Sequence, residues 1–183
     1  MSFEFKQLEI SGVVSVRPKL YPDERGLFAE MYRKKEFSDN GIEMGFVQVN
    51  HSASKHGVLR GLHYQLEPKT QGKLITAITG EIFDVAVDLR KSSDSFGRWV
   101  GKKLEARTKE LLYIPPGFAH GFVVLADKAE VIYYCTDYYS PDHERGVRWN
   151  DAKLNIEWPV ENPVVSERDA NFPDFDKGEY NFV

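Results

Sequence analysis

Helical periodicity is scarce along this chain, and that constrains the fold more than any single motif. Short runs of β-branched and aromatic residues are cut again and again by Gly, Pro or Asp, the pattern of an all-β sandwich or barrel. At 183 residues such a chain fits one domain, residues 1–183, with a core that needs no staples. Cys135 is the only cysteine, so neither an internal disulfide nor a cysteine-based metal site is expected. A formal charge of −4 with no basic block argues against nucleic acid as a partner. No signal peptide or long apolar run is read, which sets the expectation of a cytoplasmic protein with no membrane contact.

Several elements can be placed from the residues. Leu8 to Val16 reads as a first strand, Tyr21 to Gly26 as a turn, and Leu27 to Tyr32 as a second strand. Arg33 to Asp39 is the best short helix, closed by Asn40-Gly41. In Phe46-Val-Gln-Val-Asn50, Phe46, Gln48 and Asn50 share one face and the valines the other. The amides then line either a polar pocket or a solvated outer face. Lys73 to Thr79 and Ile82 to Leu89 read as a hairpin around Gly80-Glu81. That register sets Lys73 opposite Asp88, with Asp84 on the same face. Phe118 to Leu125 and Glu130 to Thr136 read as a second hairpin, followed by a loop with Tyr138 and Tyr139. Tyr133 and Tyr134 face opposite ways. Ser166-Glu-Arg-Asp169 has the form of a capping box before a short helix.

The chemistry gathers around Gly57-Val-Leu-Arg-Gly-Leu-His-Tyr-Gln65. This apolar strand carries Arg60 and His63, and a buried strand tolerates such groups only when each finds a partner. A hydrogen-bonded core His with an edge Arg is the structural alternative. Arg60 and His63 differ by three, so a regular strand points them to opposite faces; either Gly61 carries a bulge or Arg60 reaches around the rim. Pro115-Pro-Gly-Phe-Ala-His120 has the Pro-x-Gly-x-x-His spacing of cupin barrels. Metal-binding cupins supply His-x-His on an earlier strand, whereas here the run is His63-Tyr64-Gln65. Two histidines without a placed carboxylate make a poor metal site, so no metal is expected. The remaining inventory suits proton transfer beside a ketone: His63 and His120 as imidazoles, Lys73 as a cation for an enolate oxygen, Tyr133 as an acid, and Asp169 or Asp84 as orienters. His51, His56 and His143 are assigned to the surface, and Cys135 to a buried position beside the barrel interior.

These residues sit in blocks that resemble the dTDP-4-dehydrorhamnose 3,5-epimerase family. The blocks are Asp23–Gly26, Phe46–Ser52, Gly57–Gln65, Gln71–Leu74, Gly80–Arg90, Pro115–Phe122 and Tyr133–Tyr139, and the likeness runs from about Gly12 to Asp169. The resemblance implies an all-β, cupin-like jelly-roll barrel with a few short helices, working as a homodimer without a cofactor. It implies dTDP-4-dehydro-6-deoxy-D-glucose as the substrate, epimerised at C3 and C5. Carried across, His63 is the base oriented by Asp169, Lys73 stabilises the enolate, and Tyr133 donates the proton. Arg25, Phe28, Glu30, Gln48, Asn50, Arg60, His120, Glu144 and Arg168 match positions that bind the nucleotide sugar, and Tyr139 an aromatic that stacks on thymine. The N-terminal segment is expected to cross to the partner, so that Arg25 and Glu30 serve the other subunit's site. Two departures stand out: Gln-Val-Asn at 48–50 in place of Gln-Asp-Asn, and Arg168 in place of Lys. The residues leave two other readings open: an epimerase or ketoisomerase acting at a single position of a related dTDP-sugar, and a sugar-binding cupin without catalysis.

Overall fold

The structure, a computed structural model, describes residues 2–43 and 45–182. It is built on two facing sheets. The first runs in the order β1 (Phe3–Gln7), β2 (Val14–Pro18), β10 (Leu111–Ile114), β7 (Lys73–Thr79), β12 (Lys128–Cys135) and β5 (Gln48–Lys55). The second runs β13 (Glu144–Gly146), β6 (Val58–Gln65), β11 (Phe118–Val124), β8 (Glu81–Asp88) and β9 (Trp99–Glu105), with the short β14 (Val164–Val165) parallel to β6. A separate hairpin joins β3 (Leu20–Asp23) and β4 (Gly26–Ala29). Helices are few and short: α1 (Lys34–Asp39), α2 (Glu167–Ala170) and one 3-10 turn at Phe175–Lys177. None of the described helices is long and apolar enough to cross a membrane.

From β5 to β13 the chain changes sheets at every connection except β8 to β9. This corrects both hairpins expected from the sequence. β7 pairs with β10 and β12, whereas β8 pairs with β9 and β11. Gly80 (φ +72°) is therefore a corner between sheets. Its carbonyl accepts from Ala106, and that of Glu81 from Leu125, so the turn is tied to its neighbours instead of closing on itself. Phe118–Val124 and Lys128–Cys135 are likewise split between the sheets. Lys73 does not face Asp88, which is held at the far end of β8 by Arg90 (2.7 Å), Ser93 (2.7 Å) and Ser95 (2.6 Å).

The N-terminal boundaries also move. Residues 8–13 form a tight turn between β1 and β2, where Gln7 Nε2 donates to the carbonyls of Ile10 and Val13. The single strand expected over Leu8–Val16 is thus a turn followed by the start of β2, and Tyr21 to Asp23 is strand where a turn was expected. The helix stands where its apolar and capping residues put it, with Gly41 in the left-handed region beyond Asn40.

Alternation along each strand sorts its residues. On β8, Ile82 and Ala86 point between the sheets, packing with Ile75, Leu112 and Phe122 into one apolar core. Val85, Val87 and Leu89 point outward, where residues 147–182 cover them with Leu154, Phe175, Tyr180 and Phe182. On the other sheet Leu74 and Tyr113 point outward onto Phe37 of α1. The irregular tail is packed down, and each large side chain it buries contributes about 1.5–3 kcal/mol. The core fills one part of the space between the sheets, and the rest is a cavity.

Candidate active site

That cavity has a volume of about 820 Å³. Gln48 and Asn50 line it from β5, Arg60 and His63 from β6, Lys73 from β7, His120 from β11 and Tyr133 from β12. Its mouth is formed by Tyr139 after β12, Glu144 on β13, and Arg168 and Asp169 on α2. The amides of Gln48 and Asn50 therefore face the pocket, while Val47 and Val49 point away.

The Arg60–His63 conflict resolves as a bulge. His63 pairs with His120 and Arg60 with Phe122, so Gly61 and Leu62 together oppose the single residue Gly121. The extra residue resets the alternation, and both polar side chains reach the cavity. Only glycine fits the bend. Gly61 has φ +125°, and a Cβ there would lie 2.6 Å from Gly121 Cα and 2.7 Å from the His120 carbonyl oxygen.

His63 Nε2 lies 3.0 Å from Asp169 Oδ1, and the other carboxylate oxygen accepts from the Gly61 N–H at 3.1 Å. Asp169 also has a backbone task, since its N–H donates to Ser166 Oγ at 3.1 Å to cap α2. The N-cap by Ser166 and the carboxylate–imidazole pair are thus both present, one using the Asp169 backbone and one its side chain. Burial by itself would raise the Asp169 pKa. The His63 contact, the Gly61 N–H and the Ser166 hydroxyl outweigh it and hold the carboxyl down at about 2. An ionised Asp169 takes the Nε2–H, which leaves Nδ1 as the lone-pair nitrogen of His63.

Around this pair runs a rim network. Arg168 Nη2 is 3.4 Å from His63 Nε2, and Nη1 donates to Glu144 at 2.8 Å. Tyr139 Oη donates to the same Glu144 oxygen at 2.7 Å, while the Tyr139 backbone N–H donates to Gln48 Oε1 at 2.8 Å. Deeper in, His120 is buried and its Nε2 lies 2.9 and 3.1 Å from the two oxygens of Asp84. Lys73 is buried as well, and burial pulls its ammonium pKa down against the opposing charges of its neighbours. Burial pushes the Tyr133 phenol up, so it keeps its proton at neutral pH. Cys135 is buried, with its Sγ 3.6 Å from Asn50 Nδ2.

Eleven of the fourteen residues expected in the site line this one cavity. Arg25, Phe28 and Glu30 do not. Arg25 is tied to Asp23, Glu30 to Arg33, and Phe28 is 67% exposed on its hairpin. Ser52 lines the cavity and was missed, although it continues the period-two face of Gln48 and Asn50; its buried Oγ has no hydrogen-bond partner. Gln65, at the position of the second His in metal-binding cupins, holds the mouth instead. Its amide donates to the carbonyls of Lys69 (2.5 Å) and Tyr138 (3.2 Å) and accepts from the Ser140 N–H (2.8 Å). The described residues contain no cluster of three or more His, Cys, Asp or Glu able to hold a metal.

The comparisons with known proteins bear on the same residues. The family model for dTDP-4-dehydrorhamnose 3,5-epimerase matches residues 7–177. A dTDP-4-dehydrorhamnose 3,5-epimerase of Shigella flexneri is 53% identical over 173 residues, which is 94% of this chain and 96% of that one. The crystal structure of an enzyme of that name from Elizabethkingia anophelis superposes with a TM-score of 0.94 at 40% identity, covering 98% of this chain and all of the other. A 3,5-epimerase from Legionella pneumophila in complex with dTDP-4-keto-L-rhamnose gives 0.92 at 44% identity, covering 96% and 94%. A 3′-monoepimerase from Streptomyces bikiniensis in complex with dTDP-quinovose gives 0.86 at 36% identity, covering 92% and 86%. A cupin-like barrel that splits consecutive strands between two sheets, a His–Asp pair set by a glycine bulge, and sequence identity along almost the whole chain all agree, and the chain belongs to the dTDP-4-dehydrorhamnose 3,5-epimerase family.

Proposed function

We propose that this chain epimerises dTDP-4-dehydro-6-deoxy-D-glucose at C3 and C5, giving dTDP-4-dehydro-L-rhamnose. One observation carries the reading: the candidate base and the candidate acid come from opposite sheets, His63 from β6 and Tyr133 from β12, and share their cavity with the buried Lys73. Inversion needs a proton taken from one face of the sugar and another delivered to the opposite face. His63 Nδ1 is the base in this reading. Lys73 meets the charge that develops on the C4 oxygen as the enolate forms. The Tyr133 phenol returns the proton. C3 and C5 both flank the C4 ketone, so one cation serves both steps.

Arg60 and Arg168 supply guanidinium forks suited to a diphosphate. Tyr139, half-exposed at the mouth, offers a face for the base. Arg25, Phe28 and Glu30 enter the reading through a second copy of the chain. The hairpin β3–β4 exposes Tyr21, Leu27 and Phe28, and the edge strand β5 exposes Val49, with Val47 exposed just before it. Uncovered apolar residues on a hairpin and on an open sheet edge suit an exchange between two subunits.

Turnover in deuterium oxide tests the reading. Solvent deuterium should enter both C3 and C5, with inverted product seen by NMR. Label at one carbon only would make the chain a monoepimerase, as its Streptomyces bikiniensis relative is. Tight substrate binding with no label at either carbon would reduce it to a binding protein.

A further inference from the structure

Asp84 has no exposed surface, yet among the described residues its carboxylate receives a single donor. Both of its oxygens face the same His120 Nε2. One N–H shared between two oxygens leaves most of the acceptor capacity of a buried carboxylate unmet. Lys73, entering from the opposite sheet, has the complementary deficit. It is 9% exposed, and no described residue gives its ammonium a hydrogen bond or an ion pair; its charged neighbours act on it through space. An isolated charge of either sign is costly in such a place.

We propose that Asp84 is a positioning residue for the reaction: its buried negative charge, fixed by His120, keeps Lys73 in the cationic form that the developing enolate requires. This rests on the epimerase reading of the cavity.

The other groups around Lys73 do not supply that charge. Cys135 on β12 has its thiol pKa pushed up by burial, so at neutral pH it is uncharged. Tyr133 on the same strand also keeps its proton. His120 on β11 has its pKa pulled down by burial against the effect of Asp84, and as a neutral N–H donor it leaves the Asp84 charge uncancelled. His63 on β6 is engaged by Asp169, and Arg60 on that strand is a like charge. Glu144 on β13 is shared between Tyr139 and Arg168. On the flanking strands, Tyr113 of β10 turns outward with Leu74, and Lys102 of β9 is paired with Glu110 at 2.9 Å. Asp84 is the remaining countercharge.

The test is the pH dependence of turnover and of deuterium wash-in for wild type and Asp84→Asn. Losing the carboxylate charge should move the alkaline limb of kcat down by about one to three pH units. KM should change less than about threefold, because Asp84 is not among the residues lining the cavity and acts through another residue. Asp84→Asn should add no further loss in a Lys73→Met background. A uniform loss at every pH, or an unmoved limb, would overturn the proposal. A second measurement needs no Asp84 variant. In wild-type protein with 13C-labelled lysine, the Lys73 signal, assigned by its absence in Lys73→Arg, should report an ammonium at about pH 8. A neutral amine there would overturn the proposal even if Asp84→Asn failed to fold. The two failures stay distinct: a wild-type enzyme with no wash-in at either carbon refutes the epimerase reading, whereas a neutral Lys73 in an enzyme with normal wash-in at both carbons refutes the role of Asp84 and leaves epimerisation standing.

Discussion

His63 has one nitrogen committed to Asp169 and one left for chemistry, and the roles proposed for it and for Tyr133 separate experimentally. His63→Ala should lose about 10²–10⁴-fold in turnover, the usual contribution of a general base. It should lose deuterium exchange at both carbons to the same degree, because no proton leaves. Tyr133→Phe should lose inverted product yet keep some exchange, since His63 can return deuterium to the face it attacked. The reverse pattern would swap the two roles. Asp169→Asn should cost less than His63→Ala, because the imidazole remains, and the backbone cap of α2 should survive. Its stability effect has a defined pH window. The folded-state pKa of about 2 lies below the ordinary 3.8, so the ionised carboxylate stabilises the fold fully above about pH 4, and that contribution is lost as pH falls towards 2. A depression of this size corresponds to about 2 kcal/mol. Urea titrations of wild type and Asp169→Asn should therefore differ near neutrality and converge as pH approaches 2. A gap that persisted there would mean that some other property of the side chain supplies the stability.

At the scale of the strand, β6 delivers two polar side chains to one cavity only because a bulge resets its alternation. Gly61→Ala should be severe, since the new methyl meets backbone atoms of β11 at under 3 Å that cannot swing aside. We expect a loss above about 2 kcal/mol, from the positive φ and the contact together, and a weakened His63–Asp169 contact in whatever protein folds. A midpoint in urea matching wild type would show that β6 and β11 can separate at no cost. The alternation rule exposed the need for such a device, because Arg60 and His63 stand three apart. It did not choose between a bulge and a rim-reaching Arg60, since that depends on the register with β11. The corners at Gly80 and after Val124 were misread for a related reason. A turn of two or three residues between strand-like runs has the same local sequence whether the strands pair or part. What decides is the hydrogen-bonding partner of each strand, and for β7 the paired residues lie 37 or more positions away in β10 and β12. Local signals were enough for α1 with its Asn40-Gly41 end and for the shared face of Gln48 and Asn50, but whether that face is a pocket or solvated depends on the facing sheet. That face was legible because Asn50 lies two residues beyond Gln48, and Ser52 extends it by the same rule.

For the whole molecule, the barrel of one chain accounts for eleven of the fourteen expected site residues and leaves Arg25, Phe28 and Glu30 on an outlying hairpin. The proposed exchange between subunits turns that separation into a prediction. Mix a chain carrying His63→Ala with a chain carrying Arg25→Ala, each of them poorly active by itself. If Arg25 serves the partner's cavity, a mixed dimer has one cavity with an intact His63 and an intact Arg25, and one that lacks both. With random reassortment half of the dimers are mixed, so activity should recover to roughly a quarter of the wild-type value per chain. If instead Arg25 serves its own cavity, every cavity in the mixture lacks one residue or the other, and no recovery follows. Dilution sharpens the result. Restored activity should fall with protein concentration as light scattering reports dissociation, whereas activity that persists in a monomer would remove any need for a second chain. The measurement reads the origin of Arg25 in the working site directly, because two isologous cavities related by a twofold axis can complement each other only when each borrows a residue across the interface.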